Sequence, residues 1–402
     1  MRSISIRKEK FVFLIVLFFL LSIPLGSNEA SAVPAFAKQY EAECTLCHTA
    51  FPKLNDFGTK FRINGYRMEG DTGKYIWEQP QTLGFVGSAV YENVDKEMEM
   101  DMGMGPVASK SKDSSFDAGS LLIYSAGTLA PRVSYFAHMV AGDDETTLGL
   151  YNMSFMDIVA DAGLNVKLGV MSVDLPFLSS TRRLTINNYL IQLGAGGGHG
   201  GHGGGVYACS ACGASFTNSG AEVNGVRDYG EYSIQYAIGA GNDSVHEADD
   251  NVGAFYGWAY LNWQGQSLGL MYKHDRTGDN EAERQNADAS GISVDLNFAG
   301  LNLVGSYNLF TQGQVAGSDL EVTSGAIEAI YPLVENILGV VRYDFNDVQD
   351  SDKETTQIVA SLIWYLQPNV KVQVEYAQSK YTNASGTDFD SSGVFAAATA
   401  GF

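Results

Sequence analysis

Apolar and polar residues alternate along most of the chain after residue 81. The segment 370–376, which reads Val-Lys-Val-Gln-Val-Glu-Tyr, places its valines and tyrosine on one face and its lysine, glutamine and glutamate on the other. The segments 292–298 and 301–307 show the same period of two. Because successive side chains of a β-strand point to opposite faces, this pattern predicts strands with one apolar and one polar face.

Segments of this kind follow one another to the end of the chain. They predict strands at 81–93, 116–129, 131–142, 147–160, 163–173, 218–228, 231–241, 252–264, 266–275, 289–299, 301–312, 320–331, 336–346, 355–366, 369–381 and 391–402. The connections alternate between long, as at 94–115, and short, as at residue 300. We therefore expect an all-β fold, a transmembrane outer-membrane β-barrel of about 16 strands over residues 81–402.

The composition and the last strand favour the same fold. The chain has 45 Gly, 21 Tyr and 21 Phe, and only 18% of its residues are charged. The final segment ends on Phe402, and a C-terminal aromatic strand resembles the signal for insertion into the outer membrane. The alternative is a soluble β-sandwich. The net charge of −21 gives no reason to expect a nucleic-acid partner. Because the predicted fold is an outer-membrane barrel, we expect outer-membrane lipid around it.

Residues 1–32 have the pattern of a secretory signal peptide. Basic residues precede an unbroken apolar run from Phe11 to Leu21, and the small residues Ala30, Ser31 and Ala32 offer a cleavage site. A retained membrane anchor is the alternative, although the apolar run is short for a stable span.

Residues 33–80 form a region of a different kind. Residues 44–48 read Cys-Thr-Leu-Cys-His, the C-x-x-C-H spacing that attaches a c-type haem. Two thiols bond to the haem, and the adjacent imidazole binds its iron as an axial ligand. The alternative is a structural disulfide between Cys44 and Cys47. We expect one covalent haem c on Cys44, Cys47 and His48, within a small helical c-type cytochrome segment.

The same region contains Leu54, Phe57 and Phe61 at helical spacing. This stripe lies either against the haem or in the core of a small helix. A segment this short buries too little surface to fold alone, so haem or the barrel must stabilise it. A haem outside the barrel would face an apolar band about 25 Å tall, which favours a plug within or at the periplasmic side of the lumen.

The second axial ligand of the haem iron is not marked by the motif. Met68 is the local candidate, because its thioether can fold back over the iron. His138 is the candidate from the barrel, because the alternation of its predicted strand turns it inward. An open site for water or a small ligand is the third alternative.

Residues 44–68, which read CTLCHTAFPKLNDFGTKFRINGYRM, resemble the haem segment of the fused monohaem cytochrome-porins of iron-oxidising bacteria. The matching positions after the haem motif are Pro52, Leu54, Asn55, Phe57, Gly58, Phe61, Gly65 and Tyr66. The resemblance implies an electron conduit across the outer membrane. Its electrons would come from extracellular Fe(II) or a similar donor and pass to a periplasmic soluble cytochrome. Whether such an electron-transfer protein acts as an Fe(II)-oxidising enzyme stays open.

Two long connections carry further candidate ligands. The connection 174–217, which strand parity places outside the cell, contains His199, His202, Cys209 and Cys212. These residues form a disulfide between the cysteines, a metal site of N and S ligands, or neither. In the connection 94–115, acidic residues alternate with methionine over 97–104, which indicates either a weak metal site or a strand that continues past the membrane.

Two other functions remain open. One is a porin in which the haem segment senses or gates, and the other is a haem redox enzyme displayed at the membrane. The sequence contains no Ser-His-Asp, H-E-x-x-H, P-loop or dinucleotide-binding pattern.

Overall fold

The computed structural model describes most of the chain from residue 35 onward. The described ranges are 35–80, 82–101, 106–117, 121–141, 146–159, 163–173, 177–179, 182–192, 216–245, 252–278, 285–313, 319–349, 354–382 and 388–401. The predicted signal peptide and the candidate ligands at 199–212 lie outside these ranges.

Short elements precede a long series of strands. They are α1 (Ala35–Tyr40), β1 (His48–Ala50), β2 (Lys53–Leu54) and α2 (Asp56–Ile63), with 3-10 turns at Cys44–Leu46 and Ile76–Glu78. The strands are β3 (Leu83–Asp101), β4 (Pro106–Asp117), β5 (Leu121–Ala130), β6 (Val133–Ala141), β7 (Thr146–Val159), β8 (Leu164–Val173), β9 (Phe216–Tyr229), β10 (Tyr232–Asn242), β11 (Ser244–Val245), β12 (Val252–Trp263), β13 (Gln266–Gly278), β14 (Gln285–Phe298), β15 (Leu301–Gln312), β16 (Leu320–Val334), β17 (Ile337–Val348), β18 (Glu354–Gln367), β19 (Val370–Thr382) and β20 (Asp388–Gly401).

The strands close into a barrel, because β20 pairs with β3 from Asp388↔Glu99 to Gly401↔Val86. Strands β4 and β5 both pair with β3, so they are two parts of one interrupted strand. Strand β11 is a two-residue parallel pairing with β13. The remaining barrel strands pair antiparallel with their neighbours, which gives a closed 16-stranded antiparallel barrel. The predicted fold class is confirmed.

The two faces of the wall have the predicted polarity. In β19, Lys371, Gln373 and Glu375 face the lumen and are at most 6% exposed, whereas Val374 and Tyr376 are 56% and 44% exposed on the outer face. Exposed aromatic side chains also flank several short turns; they include Tyr229, Tyr232, Trp263 and Phe298. Apolar outer positions with aromatic residues near the turns are typical of transmembrane barrels.

The structure differs from the expected loop at 94–115. Strand β3 continues to Asp101, and β4 begins at Pro106 and pairs with it. Opposite charges lie across this hairpin, with Lys110 Nζ 2.8 Å from Glu97 and Lys96 Nζ 3.0 Å from Asp113. Such cross-strand pairs stabilise a two-stranded ribbon. The backbone from 97 to 101 is therefore a continuing strand.

Several non-barrel residues among those described contact the inner wall. Residues 35–80 are called the plug below. Residues 182–192, which belong to the connection between β8 and β9, are called the inserted segment, and Leu178 of the same connection is also buried against the wall. Leu184, Tyr189 and Ile191 of the inserted segment are at most 2% exposed and belong to an apolar cluster with inward side chains of the wall. The sequence did not predict that this connection folds inward.

Candidate functional site

The C-x-x-C-H residues form a compact turn followed by a strand. A 3-10 turn covers Cys44–Leu46, the backbone N–H of Cys47 donates to the carbonyl of Cys44 at 3.2 Å, and His48 begins β1. The two cysteines are half-buried free thiols, and no disulfide joins them. Burial raises the pKa of each thiol, so both are protonated at neutral pH. Two protonated thiols at this spacing are what haem attachment requires.

Helix α2 holds this turn in place. Asn55 caps the helix by accepting a hydrogen bond from the N–H of Gly58 at 2.8 Å, and its own N–H donates to the carbonyl of Cys47 at 3.0 Å. Helix and turn approach so closely that a Cβ on Gly58 would lie 2.1 Å from the Cys47 oxygen. Only glycine fits this contact at residue 58.

His48 presents an imidazole that lacks a partner at one nitrogen. Its Nδ1 is buried without a hydrogen-bond partner, and its ring centroid lies 5.8 Å from that of Phe51. Burial lowers the pKa of His48. The side chain is therefore the neutral imidazole, which is the form that binds a metal ion.

A cavity of about 1230 Å³ lies between the plug, the wall and the inserted segment. Its lining includes His48 and Phe57 of the plug, His138 and Trp258 of the wall, and Arg182. A smaller apolar cavity of about 220 Å³ adjoins Phe36, Phe51, Tyr66, Tyr124 and Phe136. His48 lines the large cavity, whereas Cys44 and Cys47 line neither cavity. A neutral imidazole and aromatic walls fit the iron and the apolar faces of a c-type haem.

The other predicted ligands differ in whether they line a cavity. Met68 is half-buried and does not line either cavity, so its role as an axial ligand stays a prediction. His138 lines the large cavity, as its inward orientation predicted. His199, His202, Cys209 and Cys212 lie outside the described residues. Within the described ranges, no group of three or more His, Cys, Asp or Glu side chains is arranged to hold a metal ion.

The plug is attached to the wall close to the short turns. Lys53 pairs with Asp295 at 3.2 Å, and Arg67 pairs with Asp157 at 3.1 Å. Neutral groups make further contacts; for example, the Tyr365 hydroxyl donates to the carbonyl of Phe51 at 2.7 Å. These partners lie on β7, β14 and β18, so the plug is held from several sides of the barrel.

Sequence reasoning missed the residues that hold the inserted segment. Glu375 is fully buried and accepts hydrogen bonds from the backbone N–H groups of Ile186 and Asn187, both at 2.8 Å. Arg342 is also fully buried, donates to the carbonyl of Asn188 at 2.8 Å and pairs with Asp344 at 2.7 Å. The only signal in the sequence is that charged residues occupy inward positions of these strands.

Comparisons with known proteins bear on the barrel. Residues 219–400 match the family model for the phosphate-selective porins O and P. No curated protein matches the chain in sequence. Among the described residues, no helix has the length and apolarity to cross a membrane.

Several solved porins have the same fold at low sequence identity. The anion-selective porin of Comamonas acidovorans aligns with a TM-score of 0.56 at 14% identity, covering 80% of this chain and 100% of that one. The outer-membrane channel DcaP of Acinetobacter baumannii gives 0.55 at 10% identity, covering 83% and 100%. A loop-deletion mutant of OmpT from Vibrio cholerae gives 0.52 at 9% identity, covering 80% and 99%. These likenesses show that the fold of this chain is that of a porin barrel.

Proposed function

We propose that this protein is an outer-membrane electron conduit built on a porin barrel. Electrons pass between an extracellular donor such as Fe(II) and a periplasmic soluble cytochrome through one c-type haem on Cys44, Cys47 and His48. The observation that carries the proposal is the position of this motif. It lies in a plug that is attached to the barrel wall, and its imidazole borders a cavity that the wall also lines.

Membrane insertion is supported by the outer face of the barrel. Ile327, Leu362 and Val374 are 54%, 50% and 56% exposed although they are strongly apolar, which suits contact with lipid and not with water. The match to a porin family model over residues 219–400 supports the same location. With short turns at the periplasmic end, the plug is accessible to a periplasmic partner.

The residues of the motif have separate roles. Each protonated thiol would add its S–H across one haem vinyl group, so no atom would be lost and no oxidant would be needed. His48 would supply a nitrogen lone pair to the iron, and burial keeps its ring neutral. The bound group would supply one-electron redox chemistry between Fe(II) and an oxidised periplasmic carrier.

The position of the plug shortens the distance that electrons must travel. The apolar band of a barrel is about 25 Å tall, so a haem outside the mouth would leave the whole band to be crossed. Residues of the plug instead reach inward side chains; for example, the Asn165 amide donates to the carbonyl of Ile63 at 3.2 Å. His48 also lines the large cavity, which supports a haem beside the lumen.

The test uses liposomes that contain the full chain, no other haem protein and an electron acceptor inside. Fe(II) added outside is expected to reduce the acceptor. The Cys44→Ala, Cys47→Ala double variant is expected to lose the covalent haem band and the reduction, while still forming a barrel. Reduction at the wild-type rate by this double variant would contradict the proposal.

A porin with a haem-dependent gate is the second candidate function. The porin family match and the large cavity favour it, because a plug seated at the wall can control solute passage. Deletion of residues 34–75 is expected to raise ion conductance for both candidates. Conductance that differs between the oxidised and the reduced protein supports the gate, whereas conductance independent of haem redox state leaves the conduit.

A further inference from the structure

His138 is a buried wall residue with an unpaired nitrogen. It lies on β6, is 7% exposed, and its Nε2 is buried without a hydrogen-bond partner. Most buried polar atoms in proteins have such a partner, because an unpaired one has lost its hydration without compensation. An orphaned imidazole nitrogen on the wall of a cavity is therefore a candidate ligand atom.

The His138 ring is held in a defined orientation. It stacks on Tyr124 with ring centroids 4.7 Å apart and planes 10° apart. On β7, Gly149 provides space for the ring, since a Cβ there would lie 3.3 Å from His138 Nδ1. A side chain fixed in this way is pre-organised to bind at Nε2.

His48 and His138 border the same space. Both line the large cavity. Phe51, whose ring lies next to that of His48, also lines the smaller apolar cavity together with Tyr124, the residue on which His138 stacks. Two imidazoles therefore flank a region with aromatic walls, one from the plug and one from the barrel.

We propose that His138 is the second axial ligand of the haem iron. This inference rests on the proposed haem at Cys44, Cys47 and His48. Its unpaired Nε2 would donate a lone pair to the iron, and no proton or electron would be exchanged. This bond would join the plug to the barrel wall, so haem binding would also hold the plug in place.

The test compares absorption and electron paramagnetic resonance spectra of the full chain and its variants in detergent. Wild type is expected to be six-coordinate and low-spin. His138→Ala is expected to become high-spin with an unchanged covalent haem band, and added imidazole is expected to restore the low-spin state. Met68→Leu is expected to match wild type. The inference is overturned if His138→Ala stays low-spin, or if Met68→Leu loses a thioether–iron absorption band.

His274 supplies a matched control, because it is also a wall histidine but its Nδ1 lies 3.0 Å from Asp288. His274→Ala is expected to leave the spectrum unchanged. Heat-dependent mobility on gels checks that each barrel folds. In a second variant, Gly149→Ala, the displaced ring is expected to change the g-values without loss of the low-spin state. Unchanged g-values in that variant contradict the inference.

Failure of the inference and failure of the proposed function give different results. A low-spin His138→Ala protein that still reduces the acceptor inside liposomes overturns only the ligand assignment. A wild-type protein without covalent haem overturns both.

Discussion

The plug and the inserted segment both contact the inside of the barrel, but the wall holds them by different interactions. The plug is attached near the strand ends by ion pairs in which the carboxylate keeps contact with solvent, from Asp295 at 18% to Asp228 at 53% exposed. The inserted segment is attached to side chains without solvent contact, since Arg342, Asp344 and Glu375 are all 0% exposed.

This difference indicates that the stability of the barrel wall depends on the inserted segment. A buried charge is costly unless it is paired and hydrogen-bonded. The backbone groups of the inserted segment provide that compensation, so the wall and the segment complete one another. In each ion pair between the plug and the wall, in contrast, the carboxylate keeps contact with solvent and the pair is partly screened, and the proposed bond from the haem iron to His138 would add a further attachment.

The largest expected effect is that of Glu375→Ala. The change leaves the N–H groups of Ile186 and Asn187 without their acceptor, and each unpaired buried donor costs about 1–3 kcal/mol. We expect the inserted segment to detach. Ion conductance of the purified protein should rise, and proteases should cut within residues 182–192.

The exposed Glu321, on the same kind of strand, offers the control. Glu321→Ala should leave both measurements at the wild-type level. Protection of residues 182–192 in the Glu375→Ala protein would show that the apolar contacts alone hold the segment.

The next largest effect concerns the haem motif within the plug. In Gly58→Ala the new Cβ would lie 2.1 Å from the Cys47 oxygen, so helix α2 and the C-x-x-C-H turn must move apart. Overpacking of this kind costs about 1–3 kcal/mol or more. The yield of covalent haem, measured by haem staining per unit of folded barrel, should fall several-fold. Gly84→Ala, where nothing lies within 4 Å, should have the wild-type yield.

The strands of the barrel could be predicted from the sequence, whereas the inserted segment could not. Each predicted barrel strand overlaps a strand of the structure, because alternation of polarity is a local property that the wall preserves. The inward Lys371, Gln373 and Glu375 were visible as a polar face. The partners of these side chains could not be predicted from the sequence, because the inserted segment has no periodic pattern. Its contacts join residues more than 150 positions apart, as Arg342 and Asn187 do.

The plug was predicted in part. The C-x-x-C-H spacing is a local motif, so the sequence alone predicts haem attachment there, and this stays a prediction. The predicted stripe is only partly buried, since Phe61 is 7% exposed and Phe57 is 38% exposed beside the cavity. Leu54 lies before the helix, in β2. Which side chain of the stripe is buried depends on where the wall and the cavity lie. No local sequence pattern specifies those positions.

A moderate effect is expected at the Lys53–Asp295 pair, which joins the plug to β14 at 3.2 Å with side chains 10% and 18% exposed. Lys53→Met should weaken plug attachment by about 1–3 kcal/mol, as expected for a hydrogen bond to a charged group. The measurement is the urea concentration at which proteases begin to cut within residues 35–80. In a double-mutant cycle with Asp295→Asn, additive effects of the two changes would show that the pair contributes no coupling.

The smallest expected effect is at Lys60, whose Nζ lies 2.8 Å from Asp228 and 3.0 Å from Asp56. Burial alone would lower the pKa of Lys60, but hydrogen bonds to the two carboxylates outweigh it and raise the pKa. A raised folded-state pKa means that this contribution is fully present below the pKa of the unfolded chain and is lost as the pH rises through the folded value. Because both carboxylates are well exposed, the contribution is screened to less than about 1 kcal/mol. Lys60→Met should therefore lower the urea concentration for cleavage of the plug slightly at neutral pH, and the difference from wild type should vanish at a pH above the raised pKa of Lys60. A difference that persists at that pH would mean that the lysine holds the plug through its aliphatic stem and not through its charge.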